Sequence, residues 1–197
     1  MIVQPTLIEN ALIVIGESAW VLSAAAQLRR LVKTRNTRGL SAPSQTLNAA
    51  GNIGWCTYFA LNHLWFPFVT NIVVVTLTIA ILGFTLANRK QFVRGLLTIA
   101  IVGPLTSFAL FHFPAQSGWL GMSYNWLAAT PQLIRIVRKR KVSGLSERGL
   151  YFAVGAMLFT LTYALLIHSS PLVVGCVQGL IYCSVIITFY YRHRKHG

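Results

Sequence analysis

The sequence predicts an all-α membrane protein of seven transmembrane helices in a parallel 3+1+3 repeat, with the N-terminus outside and the C-terminus in the cytoplasm. Three observations predict it: an oily, basic composition, seven long apolar runs, and one stretch that occurs twice. The 197 residues are 55% hydrophobic and only 10% charged, and the 17 Lys and Arg face just Glu9, Glu17 and Glu147. Soluble domains carry about 25% charged residues. A net charge of +14 could point to nucleic acid, but long segments here hold no charge at all. The bilayer is the expected partner, and nucleic acid is not.

A spanning helix needs about 20 mainly apolar residues. Runs of that kind lie at 6–30, 43–64, 67–87, 93–113, 117–137, 149–168 and 170–191. The first lacks a basic start and is long enough to span, so it is expected to remain as a helix rather than act as a cleaved leader. Alternation of period two is absent, and lipid accepts only helices or closed barrels. All 17 basic residues fall at or after the end of run one, around the junction of runs three and four, from the end of run five to the start of run six, or in the tail. Those segments are therefore cytoplasmic by the positive-inside rule. Cys56, Cys176 and Cys183 lie within apolar runs and read as small buried thiols.

The duplicated stretch is "AAQLRRLVKTRNTRGLS", which returns as "TPQLIRIVRKRKVSGLS" 105 positions later. The register continues from Gly39-Leu40-Ser41 on Gly144-Leu145-Ser146 into "TYFALNH" on "TYALLIH". This is an internal duplication of three helices. Three is odd, so a directly fused copy would emerge inverted, and the fourth helix restores its orientation. Residues 1–90 are then a first three-helix repeat, 91–115 a linker helix, and 116–197 a second repeat with a basic tail. Such parallel repeats occur in transporters about an axis along the membrane normal.

Locally, Pro131 lacks an N–H and crowds the preceding turn, which makes that end of the fifth helix a candidate hinge. Gly39 and Gly144 can take positive φ, and Ser41 and Ser146 can cap the helices that follow. The gate or hinge candidates are Gln27, Pro43, Pro131 and Gln132.

Pro131-Gln132 before a basic turn that ends in "GLS" resembles the PQ-loop motif of SWEET sugar transporters, cystinosin-type carriers and the KDEL receptor. The resemblance covers nearly the whole chain, although the first copy reads Ala26-Gln27 and lacks the Pro. It implies a carrier that alternates access between its two halves. It also implies that a Trp on the second helix and an Asn on the third hold substrate, here Trp55 and Asn71, with Thr160 and Cys176 at the matching positions of the second half.

Polar residues inside a membrane are costly unless they face a cavity or a partner. At 100° per residue, Asn10, Glu17, Trp20, Ala24 and Gln27 share a face, as do Gln45, Asn48, Asn52, Trp55 and Asn62. Asn71, Thr78 and Thr85 align, and so do Gly121, Asn125, Ala128 and Gln132. Such stripes serve interhelical hydrogen bonds or line a wet pathway. Amides donate and accept and an indole offers a flat face, a combination that suits a sugar. The stripes and the resemblance together make Trp55, Asn71, Asn52, Asn48 and Asn125 the substrate-binding candidates, with Cys176 added as the position the resemblance matches to Asn71. Glu17, the one carboxylate inside a span, is the candidate proton site or the partner of a cationic solute.

The functional expectation is a transporter of a small polar solute, with sugar first, in a bacterial inner membrane. The alternatives are a proton-coupled amino-acid or metabolite carrier and a ligand-binding receptor. An enzyme is not expected: His63, His112 and His168 sit at helix ends, and a lone Glu cannot supply paired acid–base chemistry. A retinal protein would need a Lys inside the last span, which holds none. No cofactor and no metal is expected, and a second copy of the chain is an allowed partner.

Overall fold

The computed structural model describes residues 6–37, 40–87, 89–139 and 145–194, and every element among them is helical. The helices are α1 (Leu7–Thr34), α2 (Ala42–Leu61), α3 (Trp65–Leu86), α4 (Arg89–His112), α5 (Ser117–Lys139), α6 (Glu147–Leu166) and α7 (Ser170–Arg194). A short 3-10 turn, Pro114–Gln116, joins α4 to α5. Gly39, Gly144 and the basic residues Arg38, Arg140 and Lys141, read above as the turns, lie outside the described residues.

Five helices, α1, α3, α4, α6 and α7, are long and apolar enough to cross a membrane, so this is a multi-pass membrane protein. The sequence reading expected seven. The shortfall is α2 and α5, and it has a physical cause: Gln45, Asn48 and Asn52 of α2 turn to the interior, as does Asn125 of α5, and in α5 the small and polar residues around it lower the mean hydropathy further. Apolar side chains such as Val69, Ile101, Leu105 and Ile181 project outward, as a lipid-facing surface requires.

Each helix end has a local cause. Thr6 and Glu9 form a capping box at the start of α1. α1 continues through Arg29, Arg30 and Lys33 to Arg35, which takes φ 51°. Ser146 caps α6 by accepting from the Gly149 N–H at 3.1 Å. Ser41 occupies the same position before α2 but makes no side-chain cap, and Pro43 in the first turn presets the helical φ there instead. α2 and α6 stop alike. His63 and His168 adopt φ 57° and 53°, and the next N–H groups return to the Phe59 and Ala164 carbonyls at 2.9 Å. The ends of α1 and α5, both ends of α2 and α6, and the starts of α3 and α7 are all displaced by the 105 residues of the sequence repeat.

Six helices close a ring. α1 packs on α3, α3 on α2, α2 on α5, α5 on α7, α7 on α6, and α6 back on α1, while α4 lies outside against α2 and α3. Small residues let the helices cross closely. At the α2–α5 crossing a Cβ on Gly54 would come within 3.0 Å of the Gly121 backbone. At the α1–α6 crossing a Cβ on Gly16 would meet the Thr160 hydroxyl at 2.8 Å and its backbone nitrogen at 3.2 Å.

Candidate functional site

The ring encloses a cavity of about 320 Å³ to which all six of its helices contribute and α4 does not. An apolar cluster meets each end. Leu31, Leu40 and Ile81 pack with Leu145, Ile186 and Tyr190 at the end where the α1, α3 and α7 chains run out. Trp55, Phe59, Ala164 and Leu172 pack at the other end.

Of the sequence-derived candidates, Trp55, Asn71, Asn52, Asn48, Asn125, Cys176, Glu17 and Gln27 all line the cavity. Pro43 and Pro131 do not. Gln132 lies in α5, and its side chain is outside the described residues. From the polar stripes, Asn10, Asn62 and Thr85 miss the cavity. Asn10 and Asn62 sit at exposed helix ends, and the Thr85 hydroxyl is spent on the Ile81 carbonyl of its own helix.

Glu17 is 4% exposed, and its Oε2 accepts from the Thr70 hydroxyl at 3.0 Å. The Asn71 amide nitrogen donates to the Asn52 carbonyl at 2.8 Å and to Cys56 Sγ at 3.2 Å. Its Oδ1 therefore remains an acceptor. Trp55 is packed: its ring stacks on Phe59 with centroids 6.0 Å apart, meets Tyr58 edge-on, and lies against the Gly121 backbone. Two buried oxygens, Asn125 Oδ1 and Thr160 Oγ1, have no hydrogen-bond partner among the described residues.

Gln27 works between helices. Its Oε1 accepts from the Ser146 N–H at 2.9 Å, which ties α1 to the start of α6. The turn before Pro131 is held from two sides: Ser44 donates to the Ala128 carbonyl at 2.6 Å, and Tyr182 donates to the Ala129 carbonyl at 2.5 Å. α5 runs unbroken through the proline. Neighbouring hydroxyls are one of the ways membrane helices tolerate Pro.

Sequence reasoning missed Gln178 and Tyr182, both on α7 and both at the cavity. α7 reads as uniformly apolar, and the one signal available was the isolated amide of Gln178 in that run.

The lining corresponds across the ring at the repeat distance. Leu40 and Leu145, Ile81 and Ile186, and Ala24 and Ala129 all line it at matched positions. So do pairs whose chemistry differs: Gln45 and Leu150, Asn48 and Ala153, Asn52 and Met157, Asn71 and Cys176, and Thr78 and Cys183 lose polarity in the second half, while Trp20 and Asn125, and Trp55 and Thr160, gain it. Compared with known proteins, the chain matches no family model, no curated protein and no solved structure at a significant level.

Proposed function

We propose that this protein is a membrane carrier that moves a small polar solute by alternating access, with α1–α3 and α5–α7 as two three-helix units that rock about the central cavity. One observation carries the reading: a closed ring of six helices surrounds a cavity lined at matched positions by both sets and met at each end by apolar side chains from both. Exchanging α1 with α5, α2 with α6 and α3 with α7 leaves the order of packing around the ring unchanged. That symmetry supports a duplication, with α4 as the linker and α2 and α5 as two further spans shielded by their neighbours. The basic segments then face the cytoplasm of a bacterial inner membrane.

In this reading Leu40 and Leu145, the central residues of the two "GLS" motifs, belong to the inner closure. The turn at Pro131 is where α5 flexes. Gln27 ties α1 to the start of α6 across the unit boundary, a bond that rocking would loosen, in keeping with a PQ-loop carrier. The amides of α2 and α3 suit a polyol such as a sugar, and Glu17, held by Thr70, suits a proton or a cationic group on the solute.

Entrance counterflow in proteoliposomes, run with hexoses, amino acids and organic amines, tests carriage. At least one class should be taken up faster when the vesicles are preloaded with the same unlabelled solute. Saturable binding with no acceleration for any class would make the protein a receptor instead.

A further inference from the structure

The cavity sets a carboxylate and amides on one side against apolar side chains on the other. Among the described residues Glu17 is the one charged residue that lines it, and no Lys or Arg does so. Its Oε2 is taken by Thr70, while among the described residues nothing donates to Oε1. The Thr160 oxygen, on a residue 3% exposed, lies against Gly16 beside Glu17 and is without a partner among the described residues. Asn71 has committed its amide nitrogen and leaves its oxygen. A buried carboxylate is stable as an anion only with a cation set against it, and buried acceptors need donors.

The opposite wall is of another kind. Where α2 and α3 present Asn48, Asn52 and Asn71, α6 and α7 present Ala153, Met157 and Cys176. Two polar groups of the second unit with unpaired buried oxygens turn toward the first: a Cβ on Gly16 of α1 would meet the Thr160 hydroxyl, and one on Gly51 of α2 would meet Asn125 Oδ1. Gln178 is the remaining amide on that side.

Resting on the carrier reading of this cavity, we propose that its solute is a small amphipathic amine. The ammonium sits against Glu17, Asn71 and Thr160, and the apolar body lies on Ala153, Met157 and Cys176. A hexose carries hydroxyls around its whole ring and would leave some of them unpaired against that wall, which is costly. Trp55, packed between Phe59 and the Gly121 backbone, also has less of its face to give to a sugar.

Isothermal titration of the purified chain in detergent with phenethylamine, its neutral isostere 2-phenylethanol, and glucose tests the class. Phenethylamine should bind at least about tenfold more tightly than the alcohol, the scale of one hydrogen bond to a charged group, and glucose should bind more weakly still. Glu17→Gln should bring the amine down to the affinity of the alcohol. Cys176→Asn restores the amide of the matching position, leaves Glu17 in place, and should shift relative affinity toward glucose. Equal binding of amine and alcohol, tighter binding of glucose, or no amine binding by the wild-type chain would overturn the proposal. Counterflow at mildly acidic pH separates this result from the carrier reading. Acceleration for glucose and not for phenethylamine would keep the carrier and remove the amine. Glu17-dependent amine binding without acceleration for any solute would keep the amine site and remove the carrier.

Discussion

The two sides of the ring, α1–α3 and α5–α7, differ least where helices begin, end or cross and most where they face the cavity. Ser41 and Ser146 precede matched helices, His63 and His168 end them in the same left-handed conformation, and Gly16 and Gly121 sit at matched crossings. Leu40 and Leu145 are 2% and 3% exposed in one apolar cluster. Yet Gln45, Asn48, Asn52, Asn71 and Thr78 of the first side become aliphatic or sulfur-containing on the second, while Trp20 and Trp55 become Asn125 and Thr160. Most residues that set helix ends and crossings are thus distinct from those that line the cavity, with Leu40, Leu145 and Thr160 belonging to both. A frame held by packing leaves its lining free to diverge, because a cavity position has no neighbour whose shape it must match.

The frame should break unequally at its two crossings. A Cβ on Gly121 would meet the Gly51 carbonyl at 3.0 Å and the Trp55 ring at 3.2 Å, a wall with no flexible end to move. On Gly16 the nearest atom, at 2.8 Å, is the Thr160 hydroxyl, which can rotate away. Gly121→Ala should therefore cost about 1–3 kcal/mol, the range for overpacking, and lower the thermal midpoint in detergent more than Gly16→Ala does. A larger drop for Gly16→Ala would mean that the α1–α6 crossing is the tighter one.

The lining should respond the other way round, through activity rather than stability. Asn71→Ala removes an amide that bonds the Asn52 carbonyl and faces the cavity, and should reduce solute uptake about tenfold, the effect of losing one or two hydrogen bonds. Cys176→Ala at the matching position removes a weakly polar thiol and should change uptake less than about twofold. Uptake measured well below saturation, normalised to protein in the membrane, decides it. Equal losses at both positions would erase the distinction between a polar and an apolar wall.

Much of this frame was legible in the sequence because membrane helices announce themselves by length and apolarity. The seven runs match the seven helices to within a few residues. α1 outlasts its apolar run by four residues because Leu31, Val32, Lys33 and Thr34 continue the helix past the basic pair, and Lys, like Arg, is a good helix former. α2 stops at Leu61, short of the expected end, because His63 turns left-handed two residues later, and composition carries no sign of that. The stripes located twelve of the lining residues, since helical periodicity reports which face is polar. Periodicity does not report which helix that face meets. The pairing of α2 with α5, the reach of Gln27 to Ser146 and the place of Tyr182 against α5 all needed the ring itself.

The smallest expected effect lies at the one place where the frame itself is unequal. At the α1–α6 crossing Ser23 of α1 donates its hydroxyl to the Gly149 carbonyl at 2.8 Å. At the matched α5–α2 crossing the direction is reversed: Ser44 of α2 donates at 2.6 Å to Ala128, the residue of α5 that corresponds to Ser23. The residue types set the direction, since neither Ala128 nor Gly149 has a hydroxyl to donate, and the proline loosens the turn that receives the bond. Pro131 offers no N–H to the Leu127 carbonyl and presses on the turn before it, so the carbonyls of that turn are open to side-chain donors. In α1 the matching residue is Ala26, which keeps its N–H, and the turn needs no outside help. Ser44→Ala should then cost about 1 kcal/mol, typical of an interhelical hydrogen bond in a membrane protein. In a Pro131→Ala background, where the turn can close its own bonds, the same substitution should cost less than half as much. A double-mutant cycle on thermal or denaturant unfolding in detergent measures the coupling directly. If Ser44→Ala costs the same in both backgrounds, the hydroxyl is an ordinary contact between helices, and the turn at Pro131 holds itself.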